Sequence, residues 1–273
     1  MKLIHLSDPH AQLPRWRERK LRQLGPLRAL ATVELWKGRG RAYDEAADSL
    51  RALAQAAAAA ADHVVLTGDL TQLGEEEEFA LARAALEPLA SDPGRFTTLP
   101  GNHDRFPLRD FSPNRLFEKY FPEQEHSGSL RVKLVGAELA LVLVDTPGKM
   151  SWPVISRGQV EERALAALAE TLRSVEQHRC KLLLVHHAPV RRGGRQDLPW
   201  HRLHGARALL AAAAEGGAAA VLCGHIHDRY DVPAAPGRAR VICAGSSTER
   251  GSMGYWELEI TEGKIASATE RSL

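Results

Sequence analysis

Residues 96–104 read Phe-Thr-Thr-Leu-Pro-Gly-Asn-His-Asp, a short apolar and β-branched run followed by a polar turn. β-Branched and aromatic residues favour strands and Pro-Gly ends them, so the segment predicts a strand that places Asn102, His103 and Asp104 in a tight turn. An Asn carbonyl oxygen is a hard metal ligand, and a neighbouring imidazole can transfer a proton or stabilise negative charge. Asn and Asp also favour turns because their side chains hydrogen-bond to the local backbone. The segment therefore indicates a functional site only together with similar clusters elsewhere in the chain.

Four more clusters of Asp and His follow other predicted strands. They are Asp8-x-His10, Gly68-Asp69, His186-His187-x-Pro189 and Gly224-His225-x-His227. Alternate side chains of an extended chain point to the same side, so each x-spaced pair is expected to aim both of its side chains at one point. A carboxylate and an imidazole aimed together form half of a site for a divalent metal ion.

Length and composition predict one large domain over residues 1–273, since the chain is 44% hydrophobic and can bury a full core. A net charge of +2 argues against a basic nucleic-acid binder, and we find no dedicated nucleic-acid motif. Three cysteines in apolar runs indicate small core residues of a reducing compartment. No apolar run reaches the roughly 18 residues of a transmembrane segment, and no signal peptide is evident, so we expect a cytoplasmic protein.

A basic segment at residues 11–41 follows the first predicted strand, and its arginines and lysines are interleaved with leucine and tryptophan. Leucines recur every three residues from Leu21 to Leu30, which predicts an amphipathic helix interrupted at Gly25-Pro26. With the alanine-rich helix predicted over 43–61, we place a helical insertion or lid at residues 11–60. Its arginines are either the solvated face of a helix or, over residues 15–41, a peripheral contact with an anionic membrane or a phosphate-bearing substrate.

The rest of the chain alternates strands and helices and then ends in a run of strands, a pattern of α/β proteins. The loop after His186-His187 carries Arg191, Arg192 and Arg195 close to a predicted strand end. These arginines are candidate substrate-binding residues that could contact a phosphate, and the same pattern also suits an exposed surface loop.

In this order and with these neighbours, the five clusters resemble the calcineurin-like metallophosphoesterase superfamily over residues Leu3 to His227. The resemblance implies an α/β fold: a four-layer α-β-β-α sandwich with two central mixed sheets, to which this chain adds the basic helical insertion. It also implies two divalent metal ions at the strand ends. Oxygen and imidazole ligands without a thiolate suit Mn, Fe, Zn or Ni.

The resemblance also implies a role for each polar residue. One metal is assigned to Asp8, His10 and His227, the other to Asn102, His187 and His225, and Asp69 bridges both. His103 is implied to contact the phosphoryl oxygens or protonate the leaving group, with Asp104 holding its ring. His186 competes with His187 for one ligand position. We favour His187, because its spacing to Pro189 matches the family's His-x-Pro, and keep His186 as a candidate substrate-binding residue.

The implied activity is hydrolysis of a phosphodiester or pyrophosphate by a hydroxide that two metals activate. Every ligand position is filled, which favours an enzyme over a metal-binding scaffold for protein interaction. The insertion resembles the lids of lipid-handling members such as UDP-2,3-diacylglucosamine pyrophosphatases, which favours a lipid-linked substrate. A cyclic-nucleotide phosphodiesterase and a nuclease are the alternatives.

Overall fold

The computed structural model describes residues 1–14, 16–18, 25–108, 110–124, 130–148, 152, 155–176 and 179–273. The basic residues Arg15, Arg19, Lys20 and Arg22 lie outside the described residues, as does the first part of the helix predicted from Leu21.

The described strands are β1 (Lys2–Leu6), β2 (His63–Leu66), β3 (Phe96–Thr98), β4 (Leu130–Val135), β5 (Leu139–Val144), β6 (Gly158–Gln159), β7 (Cys180–His187), β8 (Leu203–His204), β9 (Ala220–Gly224), β10 (Arg229–Val232), β11 (Val241–Ala244), β12 (Gly254–Thr261) and β13 (Lys264–Ser272). The described helices are α1 (Pro26–Trp36), α2 (Ala46–Ala60), α3 (Glu76–Ala85), α4 (Glu87–Ala90), α5 (Leu116–Tyr120), α6 (Glu162–Ser174) and α7 (Ala206–Glu215). Short 3₁₀ turns occupy Trp16–Glu18, Arg39–Tyr43, His103–Arg105 and Pro122–Gln124. No helix among these residues is both long and apolar enough to cross a membrane.

Two mixed sheets form the centre of the molecule. The first has the order β13-β12-β1-β2-β3, in which β1, β2 and β3 are parallel. The second has the order β10-β11-β9-β7-β5-β4, in which β11, β9, β7 and β5 are parallel. Strands β2, β5, β7 and β9 are buried along their whole length in near-continuous apolar runs, as expected for parallel strands covered on both faces.

Three apolar clusters stack these elements into four layers. Leu3 and Val65 of the first sheet pack between the sheets against Leu182 and Leu222 of the second. Helices α2 and α3 cover the outer face of the first sheet, and α6 and α7 cover that of the second. The predicted four-layer sandwich with two central mixed sheets is confirmed.

The insertion is fixed to the core at α1. The first residue of α1 is Pro26, which suits the first turn of a helix because no N–H is needed there. Arg28 is buried, and its guanidinium donates to the carbonyl oxygens of Leu73 at 3.0 Å and Gly74 at 2.8 Å. The expectation of a fully solvated basic face is therefore wrong at Arg28, which anchors α1 beside the strand ends.

His63 is a buried neutral histidine at the start of β2. Its ring contacts the carbonyl oxygen of Gly94 at 3.2 Å and the hydroxyl of Thr97 at 2.9 Å. Burial, with a smaller contribution from Lys133, lowers its pKa to about 3. The unfolded chain therefore takes up the proton first as the pH falls, so this contribution to stability is complete above about pH 6.5 and is lost towards about pH 3.

We expect His63→Gln to flatten the pH dependence of stability. Between about pH 7.5 and about pH 5 the wild-type protein should lose about 2 kcal/mol more unfolding free energy than the variant, measured by urea unfolding. The difference in unfolding free energy between the two proteins at the upper pH measures the cost of the substitution itself. Equal losses in both proteins would contradict this account.

Candidate metal centre

The predicted clusters meet at one edge of the molecule, where the parallel strands of both sheets end. Ligand atoms within each of four groups of side chains lie no more than 4.8 Å apart. The groups are His186, His187 and His225; Asp8, His10 and His227; His10, Asp69 and His103; and Asp8, Asp69 and His186.

The turns that carry these side chains are strained. Among the residues that the structure describes, seven non-glycine positions have positive φ, and five of them are candidate ligands: Asp8 (48°), His10 (44°), Asp69 (51°), His225 (72°) and His227 (55°). Each such conformation costs about 1–3 kcal/mol and persists where the surroundings enforce it, typically at functional sites. A side chain at Gly101 would lie 2.1 Å from the Asp69 carboxylate, so this glycine lets the two turns approach each other.

Asp8 has one carboxylate oxygen without a hydrogen-bonding partner. Its Oδ2 accepts from the Ser7 hydroxyl at 2.6 Å and from the His225 backbone N–H at 2.9 Å. The other oxygen, Oδ1, is buried and unpaired, at 3.4 Å from Nε2 of His227 and 3.8 Å from Nε2 of His10. An unpaired buried carboxylate oxygen is costly unless a cation faces it.

The imidazoles of His10 and His227 face each other beside this oxygen, with their Nε2 atoms 3.0 Å apart. Nδ1 of His10 lies 3.3 Å from the Thr71 carbonyl oxygen, to which it donates, so its Nε2 carries a lone pair. Nδ1 of His227 lies 3.1 Å from the Glu249 carboxylate and 2.8 Å from the Tyr43 hydroxyl. Both rings therefore direct Nε2 at Asp8 and are oriented through Nδ1, as metal-ligating histidines usually are.

A second group of acceptors converges on Asn102. Nδ1 of His186 lies 2.8 Å from the Thr67 carbonyl oxygen, and Nε2 of the same ring lies 2.9 Å from Oδ1 of Asn102. Nε2 of His225 lies 3.0 Å from the His201 carbonyl oxygen, which leaves Nδ1 as an acceptor 2.9 Å from the same Asn102 oxygen. Burial lowers the pKa of His225, so its Nδ1 carries no proton that could bridge to Oδ1 of Asn102. A cation bound between these two acceptor atoms would remove their repulsion.

Asp69 lies between the two groups. Its Oδ2 is 3.7 Å from Nε2 of His10 and 3.4 Å from Nε2 of His186, while Oδ1 accepts the backbone N–H of His103 at 2.8 Å. One carboxylate thus faces one imidazole from each group. This position suits a ligand shared by two cations, the role that the family resemblance implies for Asp69.

Histidine protons compensate the carboxylate charge in both groups. Burial lowers the pKa of His186, but the Asp69 carboxylate outweighs this effect and the pKa rises to about 9. Burial likewise opposes protonation of His227, yet the nearby carboxylates of Asp8 and Glu249 raise its pKa to about 9. Each group therefore holds one proton where a divalent cation would bind, and metal binding would release it. The donor set of nitrogen and oxygen atoms fits two such cations.

The geometry favours His186 over His187 as the ligand beside Asn102. The His187 ring has a partner at each nitrogen, because Nε2 lies 3.1 Å from the Ser156 carbonyl oxygen and Nδ1 lies 2.9 Å from the Thr146 hydroxyl. The carbonyl must accept from Nε2, so the hydroxyl donates to Nδ1 and no lone pair is left for a metal. This reverses the preference for His187, which rested on its spacing to Pro189.

The expectation that Asp104 holds the His103 ring is wrong. Nδ1 of His103 lies 2.6 Å from the Gln72 carbonyl oxygen. The buried Asp104 carboxylate instead accepts the backbone N–H groups of Gly101, Leu70 and Thr71 and the Thr71 hydroxyl, at 2.8–3.1 Å. Asp104 therefore fastens the turn after β2 to the turn after β3.

A cleft of about 390 Å³ opens onto the centre. Its polar side includes Asp69, Asn102, His103 and His225. Its apolar lining residues, here called the apolar wall, are Ala31, Leu35, Leu73, Phe106 and Trp152. Two of these residues belong to α1, so the insertion forms part of the cleft.

The arginines predicted to bind substrate do not line this cleft in the described part of the chain. Arg192 forms a bidentate ion pair with Asp228, with distances of 2.9 and 2.7 Å, and Arg191 lies 3.6 Å from Asp197. Arg195 is exposed. Arg39 of the insertion lines the cleft instead.

Sequence reasoning missed the residues that orient His227. Tyr43 is fully buried, and a buried tyrosine needs a partner for its hydroxyl, which was an available signal. Glu249 ends a polar run, Ser246-Ser247-Thr248, directly after β11, where the other strand ends had already indicated ligands. In that run the Ser246 hydroxyl donates to the Asp8 carbonyl oxygen at 2.7 Å, so it also holds the first turn in place.

Comparison with known proteins gives one family match. Residues 1–229 match the family model described as calcineurin-like phosphoesterase. No curated protein matches the chain.

Two solved structures with similar folds illustrate the likeness. Purple acid phosphatase from seeds of yellow lupin (Lupinus luteus) has a TM-score of 0.63 at 12% identity, covering 99% of this chain and 53% of that one. Sulfate thiohydrolase SoxB of Thermus thermophilus has a TM-score of 0.51 at 17% identity, covering 99% and 56%. The chain spans about half the length of these two proteins, and at such identities the likeness shows the fold alone.

The two neighbouring histidines provide a matched pair for testing the ligand assignment. We expect His186→Ala to reduce the bound metal from about two ions per chain to about one, because it removes a lone pair directed at Asn102 and Asp69. His187→Ala should retain both ions. Metal content after dialysis, measured by mass spectrometry, checks this, and loss confined to His187→Ala would restore the original preference.

Proposed function

Because the chain belongs to the calcineurin-like phosphoesterase family, we propose that it hydrolyses phosphoesters at this metal centre. The observation that carries the proposal is the convergence of buried acceptors, in which Oδ1 of Asp8 has no hydrogen-bonding partner and Oδ1 of Asn102 faces an imidazole lone pair. Such an arrangement is suited to cations and not to a protein-interaction scaffold.

The geometry supports one ligand set for each of two ions. We assign Asp8, His10 and His227 to one divalent ion, Asn102, His186 and His225 to the other, and Asp69 to both. When bound, two such ions lower the pKa of water and neutralise phosphoryl charge. Mn, Fe, Zn and Ni all suit this donor set.

His103 is the proposed catalytic side chain beside the ligands. The Gln72 carbonyl oxygen fixes its Nδ1 as a donor, so Nε2 is the nitrogen available to substrate, and the residue lines the cleft. Burial lowers the pKa of His103 to about 4, so the ring is neutral in the absence of substrate. A bound phosphate anion would favour its protonated form and allow it to donate to a phosphoryl or leaving-group oxygen.

The apolar wall supports a substrate with an apolar organic group, such as a lipid-linked phosphate. Ala31, Leu35, Leu73 and Phe106 form one buried cluster, and all four line the cleft that opens onto the metal centre. A polar site next to an apolar wall suits an anionic head joined to an apolar tail. In the described lining, Arg39 is the one arginine or lysine, whereas nucleic acids require an extended basic surface, so a nuclease is disfavoured.

The same insertion is the proposed contact with an anionic membrane. Arg17, on its 3₁₀ turn, is exposed, and α1 exposes nearly half of the Leu30 and Trp36 side chains. Exposed basic and apolar side chains within one segment are typical of peripheral membrane contacts.

The first test separates the bridging ligand from the catalytic histidine. Asp69→Asn should lower hydrolysis of a chromogenic phosphoester by more than about 100-fold, because it removes the negative charge shared by both ions. His103→Ala should lower kcat by about 100-fold or more and leave metal content unchanged. Near-normal activity with two ions in Asp69→Asn would refute the bridging role, and metal loss in His103→Ala would make His103 a ligand.

The second test concerns the membrane. Each basic residue near an anionic surface contributes about 1 kcal/mol, so replacing Arg17, Arg19, Lys20 and Arg22 with Glu should abolish sedimentation with phosphatidylglycerol vesicles. Hydrolysis of a soluble phosphoester should barely change, since the proposed ligands lie outside this segment. Unchanged sedimentation of the variant would exclude the membrane contact.

A further inference from the structure

Arg39 is a cation in the cleft that neither the ligand set nor the fold uses. It is the first residue of the 3₁₀ turn Arg39–Tyr43, its side chain is exposed, and it lines the cleft together with Asp69, Asn102 and His103. Among the described residues, its guanidinium has no hydrogen-bonding partner. Arg28, from the same insertion, shows the contrast, because its guanidinium is buried against backbone carbonyls.

The turn that carries Arg39 is fastened to the metal centre. The Gly40 carbonyl oxygen accepts from the Gln12 side chain at 2.6 Å, and the Ala42 carbonyl oxygen accepts from the Arg250 backbone N–H at 2.9 Å. Tyr43, at the end of the turn, is buried with its hydroxyl 2.8 Å from Nδ1 of His227. Arg39 is therefore presented from a fixed backbone, so little reorganisation is needed when an anion arrives.

The number of anionic oxygens in a substrate decides what this arginine can do. A phosphodiester is a monoanion with two terminal oxygens, which two cations suffice to neutralise. A phosphate monoester at neutral pH approaches a dianion and has a third terminal oxygen, which needs a further donor. The planar guanidinium matches phosphate geometry and is the side chain best suited to this contact.

We propose that Arg39 binds the additional anionic oxygen of a phosphate monoester, so that the cleft favours dianionic phosphoryl groups over monoanionic diesters. The inference rests on the proposed function, because it places the phosphoryl group between the metal centre and Arg39. It assigns to the insertion a role in selecting the substrate's charge, separate from the role of the apolar wall.

Binding of product-like anions tests this without turnover. Calorimetry on the Mn-loaded protein compares inorganic phosphate, at a pH where it is a dianion, with the monoanion dimethyl phosphate. Arg39→Ala should weaken phosphate binding about 10- to 100-fold, the range of a hydrogen bond to a charged group, and change dimethyl phosphate binding less than about 3-fold. Arg39→Lys should recover part of the loss. Arg41→Ala, an exposed arginine of the same turn that does not line the cleft, should match wild type.

Two results would overturn the proposal: phosphate binding by Arg39→Ala as tight as wild type, or equal weakening for both anions. Because the measurement requires no hydrolysis, it is independent of the proposed activity. A protein that shows the expected Arg39 effect but cleaves no phosphoester would contradict the proposed function and leave this inference intact.

Discussion

The metal centre depends on the apolar contact between the two sheets. Asp8, His10, Asp69 and Asn102 follow strands of the first sheet, whereas His186, His225 and His227 belong to the second or follow it. Leucines such as Leu3 and Leu182 hold the sheets face to face, so the two half-sets of proposed ligands meet at one edge. A one-residue slip of any parallel strand would turn its polar end away from the others, which ties the site to the register of the core.

Two features at this edge are energetically unfavourable: the left-handed backbone of the turns that carry the proposed ligands, and the close approach of acceptor atoms to one another. Polar contacts from neighbouring loops maintain both. Asp104 joins the turns after β2 and β3 through four donors, and Ser246 holds the turn that carries Asp8. Protons on His186 and His227 partly compensate the carboxylate charge, and divalent cations would do so more completely. The strained turns and the uncompensated carboxylate charge therefore support cation binding at this edge, as the pattern of Asp, Asn and His residues does.

The sequence predicts the layers and the polar strand ends well, because apolar runs that stop at Asp or His carry the information locally. It could not choose between His186 and His187. These are adjacent residues of one strand, and the choice depends on distant groups, the Thr67 carbonyl for one ring and the Thr146 hydroxyl for the other. The basic insertion shows the same limit. Its charge pattern does not distinguish Arg28, which is buried, from Arg39, which lines the cleft, since only packing separates them.

The most direct test of the dinuclear assignment is a crystal structure of the manganese-loaded protein with anomalous data collected at the manganese edge. The account predicts two anomalous peaks, one contacting Asp8, His10 and His227 and the other contacting Asn102, His186 and His225, with Asp69 touching both. A single peak, or a second peak ligated by His187 and not by His186, would contradict it.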